Sequence, residues 1–239
     1  MTRTVLFAGT TRDAGVSSLV TAFCRGFVGR GRTVAPFAAL ADAPISASVA
    51  PSVRTQALAA RVTPERALSP VLRGPDGALT VDGEDLGVPD GYYDERWGKA
   101  REAAERAHAA LAERFDLLVA ASTDPLSEGV VDGPPLGSAE LVRFADADVV
   151  LVADASDGGA FASLVGTLEL LPDDLREQVR ACALTRVPEG EAEALAPGVE
   201  RFEAEIGLPI CGLLPDLSSG TVEDAARAVG GDLTLPFVP

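Results

Sequence analysis

The feature that most constrains this chain is Gly9 and Gly15, spaced across a short loop between an apolar run and an amphipathic one. Thr4-Val5-Leu6-Phe7-Ala8 reads as a buried strand ending at Gly9. Leu19, Val20, Phe23 and Phe27 then recur at helical spacing, which predicts a helix from Val16 to about Gly29, closed by Gly29-Arg30-Gly31-Arg32. Thr33 to Phe37 reads as the next strand. Strand, glycine loop, helix, strand is a βαβ unit, and its crossover implies a parallel sheet covered on both faces. The expected fold class is therefore α/β, three-layer and doubly wound, with a mostly parallel sheet.

The later segments extend this pattern. Leu117 to Ala121, Val149 to Ala153, Val179 to Leu184 and Pro209 to Leu214 read as strands. The continuous apolar run Val149 to Ala153 is that of a central parallel strand. Helices are expected from Asp94 to Glu113, Ala160 to Leu171 and Val199 to Ile206, and the tail beyond Leu214 offers no clear continuation. Residues 38–94 are less regular: a short helix from Thr55 to Ala60, a turn at Gly74 to Gly77, and a hairpin with Ala78 to Val81 as one strand and Asp82-Gly83 as its turn. At 239 residues, the expectation is one domain over 1–239 with an irregular insert at about 38–94.

Composition excludes several functions. There are 36 acidic against 20 basic residues, a net charge of −16, and Lys99 is the one lysine. Such a surface repels phosphate backbones and anionic lipid, so neither nucleic acid nor membrane is an expected partner. It matches proteins that stay hydrated in molar salt, where screening shortens to about 3 Å and self-repulsion is tolerable. No apolar run approaches the roughly 20 residues of a membrane span, and no signal-peptide pattern is seen, so a cytoplasmic location is expected. Cys24, Cys182 and Cys211 each sit among apolar residues and are expected to be buried, inert thiols. With one histidine, His108, expected to face solvent, a zinc site or a Ser-His-Asp triad lacks parts.

The candidate site is the loop Gly9-Thr10-Thr11-Arg12-Asp13-Ala14-Gly15-Val16-Ser17-Ser18. In a phosphate-binding loop of pattern G-x-x-x-x-G-K-[ST], backbone N–H groups wrap the phosphates, lysine contacts the β and γ oxygens, and the hydroxyl binds Mg²⁺. Here the glycines and Ser17 are in place, but the lysine position is Val16. A valine supplies no charge to a triphosphate, and the helix N-terminus alone contributes about 0.3–1 kcal/mol to anion binding.

Three segments carry a resemblance to a known family. GTTRDAGVSSLVTAFCR is similar to GTTSDAGKSTLVTALCR of the cobyric acid synthases, in the dethiobiotin-synthetase-like group of P-loop enzymes. VLVADASDGGAFASLVGTLELLP, Val150 to Pro172, and LPICGLLPDL, Leu208 to Leu217, also resemble that family, as do VAPF, QALAA, SPVLRGPDG and GYYDE in order between them. The resemblance implies an ATP-dependent amide ligase that activates carboxylates of a corrin as acyl phosphates for attack by ammonia. This chain departs from the family pattern at each point of that chemistry. Val16 replaces the lysine, and Ala38 to Asp42 replace a Lys followed by Gln-Asn-Met. Ala120-Ala121-Ser122-Thr123-Asp124 stand where a Mg²⁺-holding Glu-Gly-Ala-Gly-Ser is implied, and Thr185-Arg186 replace an Asn-Lys pair. The family's glutaminase domain is not expected here either.

The expectation is thus a P-loop fold without catalytic residues, metal or nucleotide cofactor. It would act by binding, as a homodimer, in a heteromer with an intact family member, or with a corrinoid ligand. Asp154, Gly158, Gly159 and Phe161 mark a corner kept either to bring a helix N-terminus close to the sheet or as a ligand or partner surface. The alternative is an amidoligase subunit using Mg·ATP and ammonia from a separate glutaminase. It would need Arg12 or Arg186 in place of the lysine, and Asp13, Asp124 or Asp154 on the metal.

Overall fold

A computed structural model describes residues 2–28, 32–44, 46–128 and 135–235. Gly29, Arg30 and Gly31, read from sequence as a helix stop, lie outside these residues. The centre is a six-stranded parallel sheet ordered β10-β9-β8-β1-β7-β2. Its strands are β1 (Arg3–Gly9), β2 (Val34–Pro36), β7 (Leu117–Ala121), β8 (Asp148–Asp154), β9 (Val179–Thr185) and β10 (Ile210–Leu213).

Alternation along each strand divides the core in two. Val5 and Phe7 of β1, Val119 of β7, Val150 and Val152 of β8, and Ala181 and Ala183 of β9 face one side. Leu6, Ala8, Leu118, Ala120, Leu151, Cys182 and Leu184 face the other. Helices α1 (Val16–Phe27) and α8 (Val222–Asp232) cover the first face. The second is covered by α3 (Glu95–Ala112), α4 (Ser138–Ala145), α5 (Ala160–Leu170) and α7 (Ala192–Ile206), with the one-turn α6 (Asp173–Arg176) beside them. Apolar strands buried on both faces are what a parallel sheet requires. The three-layer, doubly wound architecture read from the sequence is the one observed.

The insert is more ordered than expected. It holds α2 (Pro51–Ala59), a 3₁₀ turn (Arg66–Leu68) and a second sheet, β3-β4-β5-β6, made by Ala41–Asp42, Val71–Arg73, Leu79–Val81 and Glu84–Gly87. Asp82 and Gly83 both take positive φ, 50° and 87°, the primed turn that an Asp-Gly dipeptide favours. Helix α2 starts four residues before the expected Thr55, because Pro51 sits comfortably at a first helical position whose N–H needs no partner. Helix α7 starts at Ala192 and not near Val199, and it runs through Pro197. The tail does continue: Thr221 and Asp224 form a reciprocal capping box that starts α8.

His108 is not solvent-facing. Its ring lies between Phe37 and Phe144, with centroids 5.5 and 5.7 Å away, and Nε2 is 2.8 Å from the Thr4 hydroxyl on β1. Burial pushes its pKa down, so the neutral ring is the packed form. The unfolded chain takes up a proton near pH 6.5 while the folded one resists. The stability His108 contributes is therefore present above about pH 6.5 and drains away as pH falls towards its depressed folded value. Denaturant melts across pH 7 to 5 should show this slope in the wild type and a flatter one in His108→Phe.

Candidate functional site

The chain reverses direction of growth at β1. Through α1 it moves past β7 to β2, whereas β8, β9 and β10 step out on the other side. The loops after β1 and β8 therefore diverge and leave a crevice at the carboxyl ends of the strands, the place where α/β sheets bind ligands. Both sequence-predicted segments, the Gly9–Ser18 loop and the Asp154–Phe161 corner, meet there. The Thr10 N–H donates to the Val152 carbonyl at 2.9 Å, and the hydroxyls of Thr10 and Ser163 are 3.1 Å apart.

The loop turns tightly at its base. The Gly9 N–H donates to Ser122 Oγ at 3.0 Å. A Cβ on Gly9 would stand 2.5 Å from the Thr11 carbonyl oxygen, so only glycine closes this turn. That same point is 3.3 Å from Val16 Cγ2 and 3.2 Å from Ala14 Cβ, which sets both apolar groups against the base of the loop. Ala14 is fully buried and Val16 is 6% exposed. A lysine would carry an ammonium through this space to the phosphates; Val16 instead joins the hydrophobic core below α1. Ser17 remains exposed and Ser18 half-buried on the first turn of α1, behind Gly15 in a left-handed conformation.

Cations approach the loop from two directions, and both are engaged. Arg12, exposed at the tip, lies 3.7 Å from the buried Asp124 carboxylate, which also accepts from the Thr123 hydroxyl. Arg186, at the end of β9 with φ of 52°, donates to the Asp13 backbone carbonyl and pairs with Asp154. Its neighbour Thr185 donates from Oγ1 to the Ala14 carbonyl at 2.8 Å. The pair Thr185-Arg186 thus clamps two carbonyls of the loop, a role the sequence did not disclose. Burial alone would raise the Asp154 pKa, but hydrogen bonds from Ser156 and Arg186 outweigh it and hold the carboxyl below its ordinary range. Among the described residues, no three His, Cys, Asp or Glu side chains come together as metal ligands. Of the proposed metal carboxylates, Asp124 and Asp154 are each paired with an arginine, and the Asp13 side chain is exposed. These residues do not fit a Mg²⁺–triphosphate.

The second segment divides. Asp154 belongs to the crevice. Gly158 and Gly159 take φ of 77° and 75°, and a Cβ on either would meet nothing within 4 Å. Their requirement is left-handed backbone at the start of α5, not the close approach to the sheet expected from sequence. Phe161 turns away from the loop: its ring lies 6.0 Å from that of Phe202, and its edge is 2.7 Å from where a Cβ on Gly198 would sit. It packs between α5 and α7. The three cysteines are buried, and burial raises Cys24 and Cys211 to about 12, which agrees with inert thiols.

Comparison with known proteins separates fold from ancestry. No protein-family profile matches. Among solved structures, the signal recognition particle receptor FtsY of Elizabethkingia anophelis in complex with GDP superposes with a TM-score of 0.56 at 13% identity, covering 98% of this chain and 65% of that one. Chloroplast FtsY of Physcomitrella patens gives 0.52 at 14% identity, covering 94% and 61%. At such identities the likeness is one of fold alone. Sequence relatives are more specific. A probable cobyric acid synthase of Halobacterium salinarum is 39% identical over 235 residues, covering 89% of this chain and 46% of the relative. One from Archaeoglobus fulgidus is 34% identical over 225 residues, covering 89% and 48%, and the cobyric acid synthase of Nostoc punctiforme is 32% identical over 227, covering 90% and 46%. The chain spans about half the length of these relatives, and it is a homologue of the N-terminal half of the cobyric acid synthases.

Proposed function

We propose that this protein serves corrinoid (cobalamin) biosynthesis as a cobyric acid synthase-like binding partner that has given up ATP-dependent amide ligation. The relatives named above support the pathway. The observation that carries the loss of chemistry is Val16, buried against Gly9 and Ala14 where a triphosphate needs a cation. Its partner under this reading is a corrinoid, a second copy, or an intact member of the family.

One observation favours the alternative of a working amidoligase subunit: Arg186 does bring a guanidinium to the rim of the loop. It is weighed down by Asp154, which neutralises that charge, and by Asp124, whose pairing with Arg12 occupies the nearest carboxylate beyond β7.

Melting the protein in molar KCl with and without Mg·ATP separates the two. A site held at 100 times its dissociation constant adds about 2.7 kcal/mol, a plainly visible shift. The expected result is no shift and no hydrolysis, and Val16→Lys alone should restore neither, since the metal carboxylate is still lacking. A clear shift accompanied by hydrolysis in the wild type would overturn the proposal. Affinity capture from the native host in high salt would then identify the partner.

A further inference from the structure

The apolar side chains most exposed among the described residues fall into two groups, with Leu170 apart. Leu58 of α2, 62% exposed, and Val222 at the start of α8 form the first. They share the wall of an open cleft of about 430 Å³ with Arg25, Arg61 and Glu223. The second is Val88, Tyr92 and Tyr93, on the segment between β6 and α3, where Tyr93 is almost wholly exposed. Scattered apolar side chains need no partner, but these two groups carry opposite charge.

Residues 16–28 and 51–62, which make α1 and α2, hold Arg25, Arg54 and Arg61 and no acid, in a chain with 36 acids. Arg25 pairs with Glu223 at 3.2 Å. Acids also engage Arg12, Arg73, Arg143 and Arg186, whereas Arg54 and Arg61 have neither an ion pair nor a side-chain hydrogen bond among the described residues. The two flank Leu58 at helical spacing. Arg54 stands near the start of α2, where the helix dipole disfavours a cation. Arg61 takes φ of 58° just after α2 ends, a left-handed position that glycine holds without strain. An unpaired guanidinium is thereby kept at the cleft.

The tyrosine turn has the other sign. From Glu84 to Glu95 there are five acids and no base. Asp90 and Glu95, exposed on either side of the tyrosines in the chain, pair with no arginine among the described residues. The turn is also held in shape. Asp94 accepts from the N–H groups of Asp90 at 2.7 Å and Arg96 at 2.8 Å, and Trp97 Nε1 donates to the Gly91 carbonyl at 3.2 Å. The rings of Tyr92 and Tyr93 meet edge to face, 5.2 Å apart. Aromatic rings presented on a fixed turn lose little freedom on binding, which suits them to anchor an interface.

On a surface of net charge −16, a second copy is repelled wherever acids meet acids. It can approach the cleft, whose lining acid is already paired, and its acidic aromatic turn complements the unpaired arginines there. We propose that the protein associates with itself, the Tyr92–Tyr93 turn of one copy entering the Leu58–Val222 cleft of another, with Arg54 and Arg61 facing Asp90 and Glu95. A tyrosine ring against Leu58 also offers its face to the Arg61 guanidinium. The contact joins two different patches and is therefore heterologous. The cleft includes no residue of the Gly9–Ser18 loop, so a melting shift and hydrolysis with Mg·ATP would overturn the loss of ligation and leave this contact standing.

Sedimentation velocity on the full chain over a wide concentration range tests it, in molar KCl where the general repulsion is screened. The wild type should rise above the mass of one chain as concentration increases. Tyr92→Ala/Tyr93→Ala and Leu58→Glu/Arg61→Glu should each weaken association at least about tenfold. All four side chains are exposed, so dilute samples of both variants should melt with the wild type. An equimolar mixture of the two variants should pair again, through the intact cleft of one and the intact turn of the other, and stop at dimers. A wild type that stays monomeric, as it would if the cleft served an acidic segment of another protein, overturns the proposal. So does undiminished association in either variant, or a mixture that fails to pair.

Discussion

Phe7→Ala is expected to cost about 3–5 kcal/mol, a large share of the stability of a protein this size. Phe7 is fully buried at the middle of β1, in edge contact with Phe23 of α1, with ring centroids 5.3 Å apart at 61°. Its carbonyl also accepts the Ser122 N–H at 2.9 Å, so the residue joins β1 to the end of β7 just below the loop. Removing the ring takes away its transfer free energy and leaves a cavity that strands on both sides prevent from collapsing. Urea melts would read the loss directly. The exposed Tyr93, at 96% accessibility, gives the control: Tyr93→Ala should stay within about 0.5 kcal/mol. A loss below about 1.5 kcal/mol for Phe7→Ala would mean that α1 is not anchored through this contact.

Arg186→Ala should cost about 1–2 kcal/mol, the lower part of the range for charge-assisted hydrogen bonds because the pair is partly solvated. The guanidinium holds both the Asp154 carboxylate and the Asp13 carbonyl. Asp154→Ala should cost a similar amount, and the double variant distinctly less than the sum, since each single change leaves the other group stranded. The pH dependence follows in sign. A carboxyl held below its ordinary range adds stability that is present above about pH 4 and is lost as pH falls through the depressed folded value. In Arg186→Ala one of the supports of that depression is gone, so the acid loss should be smaller and should level off at higher pH. Additive single and double variants would mean that Arg186 and Asp154 do not act as one unit.

How far the sequence could be read depended on how many neighbours each residue answers to. The strands were legible because Leu6, Leu118, Val150 and Leu151 must be apolar on whichever face they lie. The loop was legible from Gly9 and Gly15, and Val16 announced a missing charge. That Val16 packs against the loop's own base required coordinates, because only the turn at Gly9 brings those atoms together. The clamp by Thr185 and Arg186 was hidden for the same reason: the two residues meet Asp13 and Ala14 from far along the chain. Phe161 and the glycines before it stood out as a motif without disclosing their contacts, because a motif states that residues matter and not why; one packs on α7 and the others turn the backbone. Helix α8 was passed over for its polar surface, although Thr221 and Asp224 had the spacing of a cap.

Among the described residues the second sheet shares no ladder with the first, and it departs from it between β2 and α3. Its edge strand β3 contributes Ala41 and Asp42 to the wall of a cavity beside the loop, and β5 and β6 follow β4 along the ladder. Over evolutionary time such an appendage can lengthen, shorten or change its outer hairpin while the pairing of β1 with β7 and β8 stays fixed. Descendants of one ancestor could thereby come to prefer different molecules without redesigning the scaffold that presents them.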